Sequence, residues 1–148
     1  MGAAEGGTFR LSHPQLGSIK GIVPVQGVYQ FRSLPYASIP HRFTDPVAVD
    51  SLGDEGTYDA TKFGPVAPQP ADAEQREFPS PKERPPHEPL AQDELKCTNL
   101  NVSVPAAAVK EGHKGLPVMV WFHGGSYMLG AASWPQYGNG LPCFWTEI

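Results

Sequence analysis

Leu116-Pro117-Val118-Met119-Val120-Trp121-Phe122-His123-Gly124-Gly125-Ser126-Tyr127 is the stretch that decides how this chain is read. Its apolar run does not alternate with polar residues, and it carries β-branched and aromatic side chains. That pattern predicts a strand over Pro117 to Phe122 with both faces covered. The run stops at His123-Gly124-Gly125. Paired glycines at a strand's end let backbone N–H groups come close to whatever binds there, because glycine has no Cβ and tolerates φ > 0. Such an exit is either a plain tight turn or a cradle for negative charge.

Upstream, Leu100-Asn101-Val102-Ser103-Val104-Pro105 alternates apolar and polar residues, as a half-buried strand does. Ala106 to Gly115 is a connector of small and charged residues. Near the start, Leu16 to Val25 and Gly27 to Leu34 predict two short strands, with a turn at Gln26-Gly27. From Ser38 to about Gln92 the chain reads as loop, because prolines recur at a density that blocks helix and interior strand alike. Mobility is expected over Asp72 to Glu88. Downstream, Met128 to Ile148 holds Gly130, Pro135, Gly138, Gly140 and Pro142, and predicts no amphipathic helix and no second buried strand.

The chain has 148 residues, enough for one ordinary domain, and 40% of them are hydrophobic, which excludes compositional disorder. Its 11 Lys and Arg are scattered among 15 Asp and Glu, so no basic patch for nucleic acid is present. Cys97 and Cys143 form neither a disulfide framework nor a zinc site, and no histidines show metal-ligand spacing. No metal and no cofactor are expected. The N-terminus lacks the basic and apolar regions of a secretory signal, and no apolar run reaches membrane-spanning length. A cytoplasmic location is the expectation. No residue pattern specifies an oligomeric state.

Several segments, taken in order, resemble the N-terminal part of a type-B carboxylesterase, the α/β-hydrolase group that includes cholinesterases and fungal lipases. Gly17-Ser18-Ile19-Lys20-Gly21 resembles the family's opening strand. Phe31-Arg32-Ser33-Leu34-Pro35-Tyr36-Ala37 resembles its F-R-G-I-P-Y-A segment, continued by Ile39-Pro40-His41-Arg42-Phe43. Asp59-Ala60-Thr61-Lys62-Phe63-Gly64-Pro65 resembles D-A-T-x-F-G-P. Asn99 to Pro105 resembles L-N-V-x-x-P, and Leu116 to Gly125 resembles L-P-V-x-V-W-x-H-G-G. The likeness runs over about 16–137 of a partial domain spanning 1–148, with a divergent tail over 138–148.

The resemblance implies an α/β fold: the N-terminal fragment of an α/β-hydrolase, mainly antiparallel strands and long loops, without the nucleophile elbow, later strands and helices. It implies that the backbone N–H groups of Gly124 and Gly125 are oxyanion-hole donors. It also implies a loop disulfide, but Ala67 stands where the family's first cysteine falls, and Cys97 sits near the second, so that bridge cannot form. Gly-x-Ser-x-Gly occurs nowhere in the chain, and the nearest approach, Gly124-Gly125-Ser126-Tyr127-Met128, lacks the final glycine.

The expected function is therefore a truncated carboxylic-ester hydrolase. It keeps the oxyanion loop His123-Gly124-Gly125, has no Ser/acid/His triad and is inactive by itself. Its partner in the full-length family is a small-molecule carboxylic ester. The alternative is a non-catalytic binding or interaction module derived from a hydrolase. A third reading, Ser126 activated by His123, requires Ser126 in a strained elbow and a base oriented by a third group. His13, His41, His87 and His113 read as solvated loop residues. Asp45, Asp50, Asp54 and Glu55 read as a solvated loop face. Trp121 and Phe122 read as core. Asn101-Val102-Ser103 is a formal glycosylation sequon, expected to be idle inside a strand. Without later strands, Val118, Val120 and Phe122 lack partners, so a marginally stable or insoluble chain is expected.

Overall fold

The computed structural model describes residues 6–53 and 56–137. Expectations for Asp54, Glu55, Cys143 and the tail from Gly138 onward fall outside the described residues.

The strands in chain order are β1 (Thr8–His13), β2 (Gly17–Ile22), β3 (Val28–Pro35), β4 (Ala37–Ser38), β5 (Val47–Ala48) and β6 (Thr57–Asp59). A short helix α1 (Ala73–Glu77) follows, then β7 (Asn99–Pro105) and helix α2 (Ala106–Lys110). The main sheet runs β1-β2-β3-β7, with antiparallel neighbours throughout. β6 joins the same edge of β2 as β3 does but runs parallel, pairing Ser18 with Thr57 and Lys20 with Asp59.

β1 lies ahead of the strand pair expected from Leu16. Its Phe9 and Leu11 turn toward the core while Thr8, Arg10 and Ser12 face water. The hairpin to β2 is closed by His13, whose Nδ1 accepts from the N–H groups of Gln15 and Leu16 at 3.2 and 3.1 Å. The main core gathers Ile19, Val23, Tyr29, Phe31, Ala60 and Ala106. Phe9 stacks on Tyr29 with ring centroids 3.7 Å apart and meets Phe31 edge-on. Gly21 opposes Phe9 across the sheet, and a Cβ there would lie 2.7 Å from Phe31 Cδ1, so only glycine lets the rings close over β2.

β3 carries a bulge. Phe31 pairs with Val102 and Leu34 with Leu100, so Arg32 and Ser33 together oppose Asn101. The extra residue changes the parity of the strand. Phe31 and Leu34, three positions apart, both face the core, which an unbroken period of two forbids. Ser33 occupies the left-handed region at φ 55°. It is held there by Asn101 Oδ1, which accepts its N–H at 3.1 Å, and by the Tyr58 hydroxyl, which donates to its carbonyl at 2.6 Å. Asn101 is thereby engaged within a paired strand.

Several expectations change. The 38–92 region is not loop throughout, since β6 extends the sheet and α1 forms among the prolines. The segment expected to be mobile packs Ala73 and Phe78 against Trp134 in a second cluster with Ala131. The stretch 116–122 forms no strand. No described strand pairs with it, and a segment without a ladder partner has no sheet to bury its faces. Val118 is 81% exposed and Phe122 84%, so Phe122 is not core. Trp121, half exposed, touches Tyr137 at 4.4 Å between ring centroids. For the same reason Leu100 and Val102, on the core side of β7, stay over a third exposed, because among the described residues nothing pairs with the outer edge of β7.

Candidate functional site

The candidate site is the bend that follows this stretch. Gly125 has φ +115°, and Ser126 and Tyr127 follow at 53° and 60°. The carbonyl of Gly125 accepts from Met128 N at 3.0 Å and Leu129 N at 3.2 Å. Two successive positive φ angles closed by this bond are the pattern of a type I′ turn. Glycine is required at Gly125, because a Cβ there would stand 1.9 Å from the Leu129 carbonyl oxygen. Gly130, at φ +129°, is buried beneath the turn, and a Cβ there would meet His123 Nδ1 at 2.2 Å and the Gly124 carbonyl at 2.5 Å.

Two glutamine side chains fix this bend to the body. Gln92 Oε1 accepts from Gln69 N at 3.0 Å while its Nε2 donates to the Gln69 carbonyl at 3.1 Å. Gln69 repeats the arrangement on Gly130: Oε1 accepts from Gly130 N at 2.9 Å and Nε2 donates to its carbonyl at 3.0 Å. Each amide acts as a one-residue strand, satisfying both backbone groups of its neighbour. The chain of contacts starts from an isolated parallel bridge between Val66 and Gln92. Asn99 Nδ2 anchors the preceding Pro65 carbonyl at 2.9 Å.

Against this support, the N–H groups of Gly124 and Gly125 donate to no other described residue. His123 Nδ1 lies 2.8 Å from the Gly124 carbonyl, which can only accept, so Nδ1 carries a hydrogen there. No hydrogen bond joins His123 to Ser126, so the structure does not bring together the pair that a Ser126 nucleophile needs. Glu77 approaches the bend, its Oε1 3.8 Å from the position a Gly124 Cβ would take. Burial, then the Glu77 charge, pushes the Tyr137 hydroxyl above its usual pKa.

The other singled-out residues lie apart from the bend. His41 and His113 are exposed, His113 pairing with Glu111. His87 is exposed in a loop, as expected, and its Nε2 lies 3.0 Å from Glu74 Oε2, with Gln136 Nε2 donating to the other carboxylate oxygen at 2.5 Å. Asp45 and Asp50 are exposed, as expected. Cys97 is a free thiol, and burial raises its pKa. Among the described residues no cluster of His, Cys, Asp or Glu could hold a metal ion, and no helix is long and apolar enough to cross a membrane. Sequence reasoning missed Gln69 and Gln92. Their only signal is Pro68 and Pro70 on either side of Gln69, which stiffen its backbone.

The Carboxylesterase family matches over residues 10–141. The chain is 33% identical over 133 residues to the para-nitrobenzyl esterase of Bacillus subtilis (strain 168), covering 88% of this chain and 24% of that enzyme. It is 33% identical over 114 residues to Lipase 1 of Yarrowia lipolytica, covering 77% of this chain and 21% of the lipase. A solved PNB esterase structure superposes with a TM-score of 0.62 at 34% identity, covering 85% of this chain and 23% of that one. The chain thus spans about a quarter of the length of the relatives it matches.

Proposed function

This chain belongs to the carboxylesterase family, and from that premise we propose that it supplies the oxyanion-hole part of a carboxylic-ester hydrolase site. In ester hydrolysis a nucleophile adds to the carbonyl carbon and the carbonyl oxygen becomes an oxyanion. Donors already aimed at that oxygen stabilise it with no reorganisation, and each contributes about 3 kcal/mol to the transition state. The observation that carries the reading is the pair of N–H groups on Gly124 and Gly125, which donate to no group among the described residues, in a bend held by Gln69 through Gly130. Glycine at both positions keeps the approach open.

The 148 residues contain no Gly-x-Ser-x-Gly, and among the described residues no base hydrogen-bonds Ser126, so in this reading the chain alone does not hydrolyse esters. The carbonyl attacker and its histidine belong to the portion of the family domain that this sequence does not include. A fluorophosphonate, which forms a covalent adduct with activated serines, tests this on the 148-residue chain. The expected result is no adduct and no ester hydrolysis above the buffer rate. An adduct on Ser126, abolished with the activity by Ser126→Ala, contradicts it.

A further inference from the structure

Arg32 holds an unneutralised charge inside a cleft. It lies on the face of β3 opposite Phe31, beside buried Gln30, whose Oε1 accepts from Arg32 Nε at 2.7 Å. Its guanidinium lies over the Phe63 ring, 3.9 Å from the centroid. Burial lowers the Arg32 pKa from its ordinary value, and no carboxylate pushes it back. Among the described residues no Asp or Glu forms an ion pair with it, and its terminal nitrogens donate to no side chain. A cation drawn out of water is ordinarily paired, because desolvation opposes the charged form.

The cleft measures about 900 Å³ and runs between this face and the 87–91 and 133–135 segments. Its lining is amphiphilic. Val25, Phe63, Leu90 and Pro135 give apolar surface, while Thr61 and Ser133 add hydroxyls. Lys62 adds a second positive charge, shared with Asp59. Among the described residues Glu88 is the one acid lining the cleft, and it lies beyond ion-pair distance of both cations.

We propose that this cleft binds a small organic carboxylate with an apolar body. The carboxylate seats on the terminal nitrogens of Arg32, and the body lies against Phe63 and Leu90. A planar carboxylate matches the two parallel N–H bonds that a guanidinium offers. The pinning of Nε by Gln30 and the stacking on Phe63 hold the guanidinium in place before binding, which reduces the ordering cost. The site is independent of the Gly124–Gly125 bend and of the hydrolase reading.

The test is a titration of the 148-residue chain with 4-phenylbutyrate, read by NMR at the Arg32 Nε–H and at the amides of Leu90 and Ser133. The expected result is saturable shifts at all three with a Kd on the order of millimolar, and none with the uncharged 4-phenylbutanamide. Arg32→Gln removes the shifts. Arg32→Lys, which keeps the charge and the fold but not the fork, weakens binding about tenfold. The proposal is overturned if the carboxylate produces no saturable shift, if the amide binds equally, or if a folded Arg32→Gln chain binds as the parent does. Equal displacement by inorganic phosphate also overturns it, since that reports a bare anion site without an apolar wall.

Discussion

Gln69 holds Gly130 by both sides of its backbone, accepting its N–H at 2.9 Å and donating to its carbonyl at 3.0 Å. Gly130 is buried and lies directly under His123 and Gly124, so this one side chain sets the height of the bend that presents the Gly124 and Gly125 N–H groups. Gln69→Ala strands a buried donor and a buried acceptor. The expected cost is about 2 kcal/mol, measured by urea unfolding, together with faster proteolysis within 123–137. Unchanged cleavage in that segment contradicts the clamp.

Gly130 and Gly125 are the positions where a methyl group has no space. Gly130→Ala drives a Cβ into the His123 ring and the Gly124 carbonyl. Gly125→Ala drives one into the Leu129 backbone, and both residues sit at positive φ. Each substitution is expected to destabilise by more than about 2 kcal/mol. Gly124→Ala meets only Glu77, at 3.8 Å, and is expected to be near neutral in the same unfolding measurement. A similar cost at all three glycines is the contrary result.

Ser33 stands where the family segment has glycine, at φ 55° in the β3 bulge. Its contacts in the bulge are made by its backbone N–H and carbonyl, which glycine keeps. Ser33→Gly is therefore expected to stabilise the chain by about 1 kcal/mol, because an L side chain pays for the left-handed region and glycine does not. A lower urea midpoint for Ser33→Gly contradicts this account of the bulge.

Asp59 gives the fold an acid limit. Hydrogen bonds from the Thr61 hydroxyl and Thr61 N–H, and then the charges of Lys20 and Lys62, lower its pKa from the ordinary value. The folded state therefore favours the carboxylate. Its contribution is complete above the ordinary carboxylate pKa of about 3.9, and is lost as pH falls from there through the lowered folded value. Urea midpoints measured from neutral pH downward are expected to fall in that window. Asp59→Asn is expected to fall less steeply there, and identical slopes contradict the assignment.

Most of the strand framework was legible in the sequence because its signals are local. Ile19, Tyr29, Phe31 and Val104 sit in strands whose composition announces them, and Gln26-Gly27 announces the turn. The bulge was not legible, since Asn101 and Tyr58, which hold Ser33, are far from it in sequence. The stretch 116–122 has strand composition, yet composition does not supply a neighbour, and without one it forms no strand and stays exposed. At the site, Gly124 and Gly125 were readable as a glycine pair. Gln69 and Gln92 were not, because an amide acting as a strand surrogate has no periodicity.

The most direct test of the central claim uses a graft. Residues 10–137 replace the matching portion of the Bacillus subtilis para-nitrobenzyl esterase, with and without Gly124→Pro, which deletes one N–H. Ester hydrolysis by the folded graft is measured as kcat and KM. The account predicts activity in the parent graft and a fall in kcat of about 10²–10³-fold on losing the donor, with KM little changed. A folded parent graft without activity, or a folded Gly124→Pro graft with undiminished kcat, contradicts it.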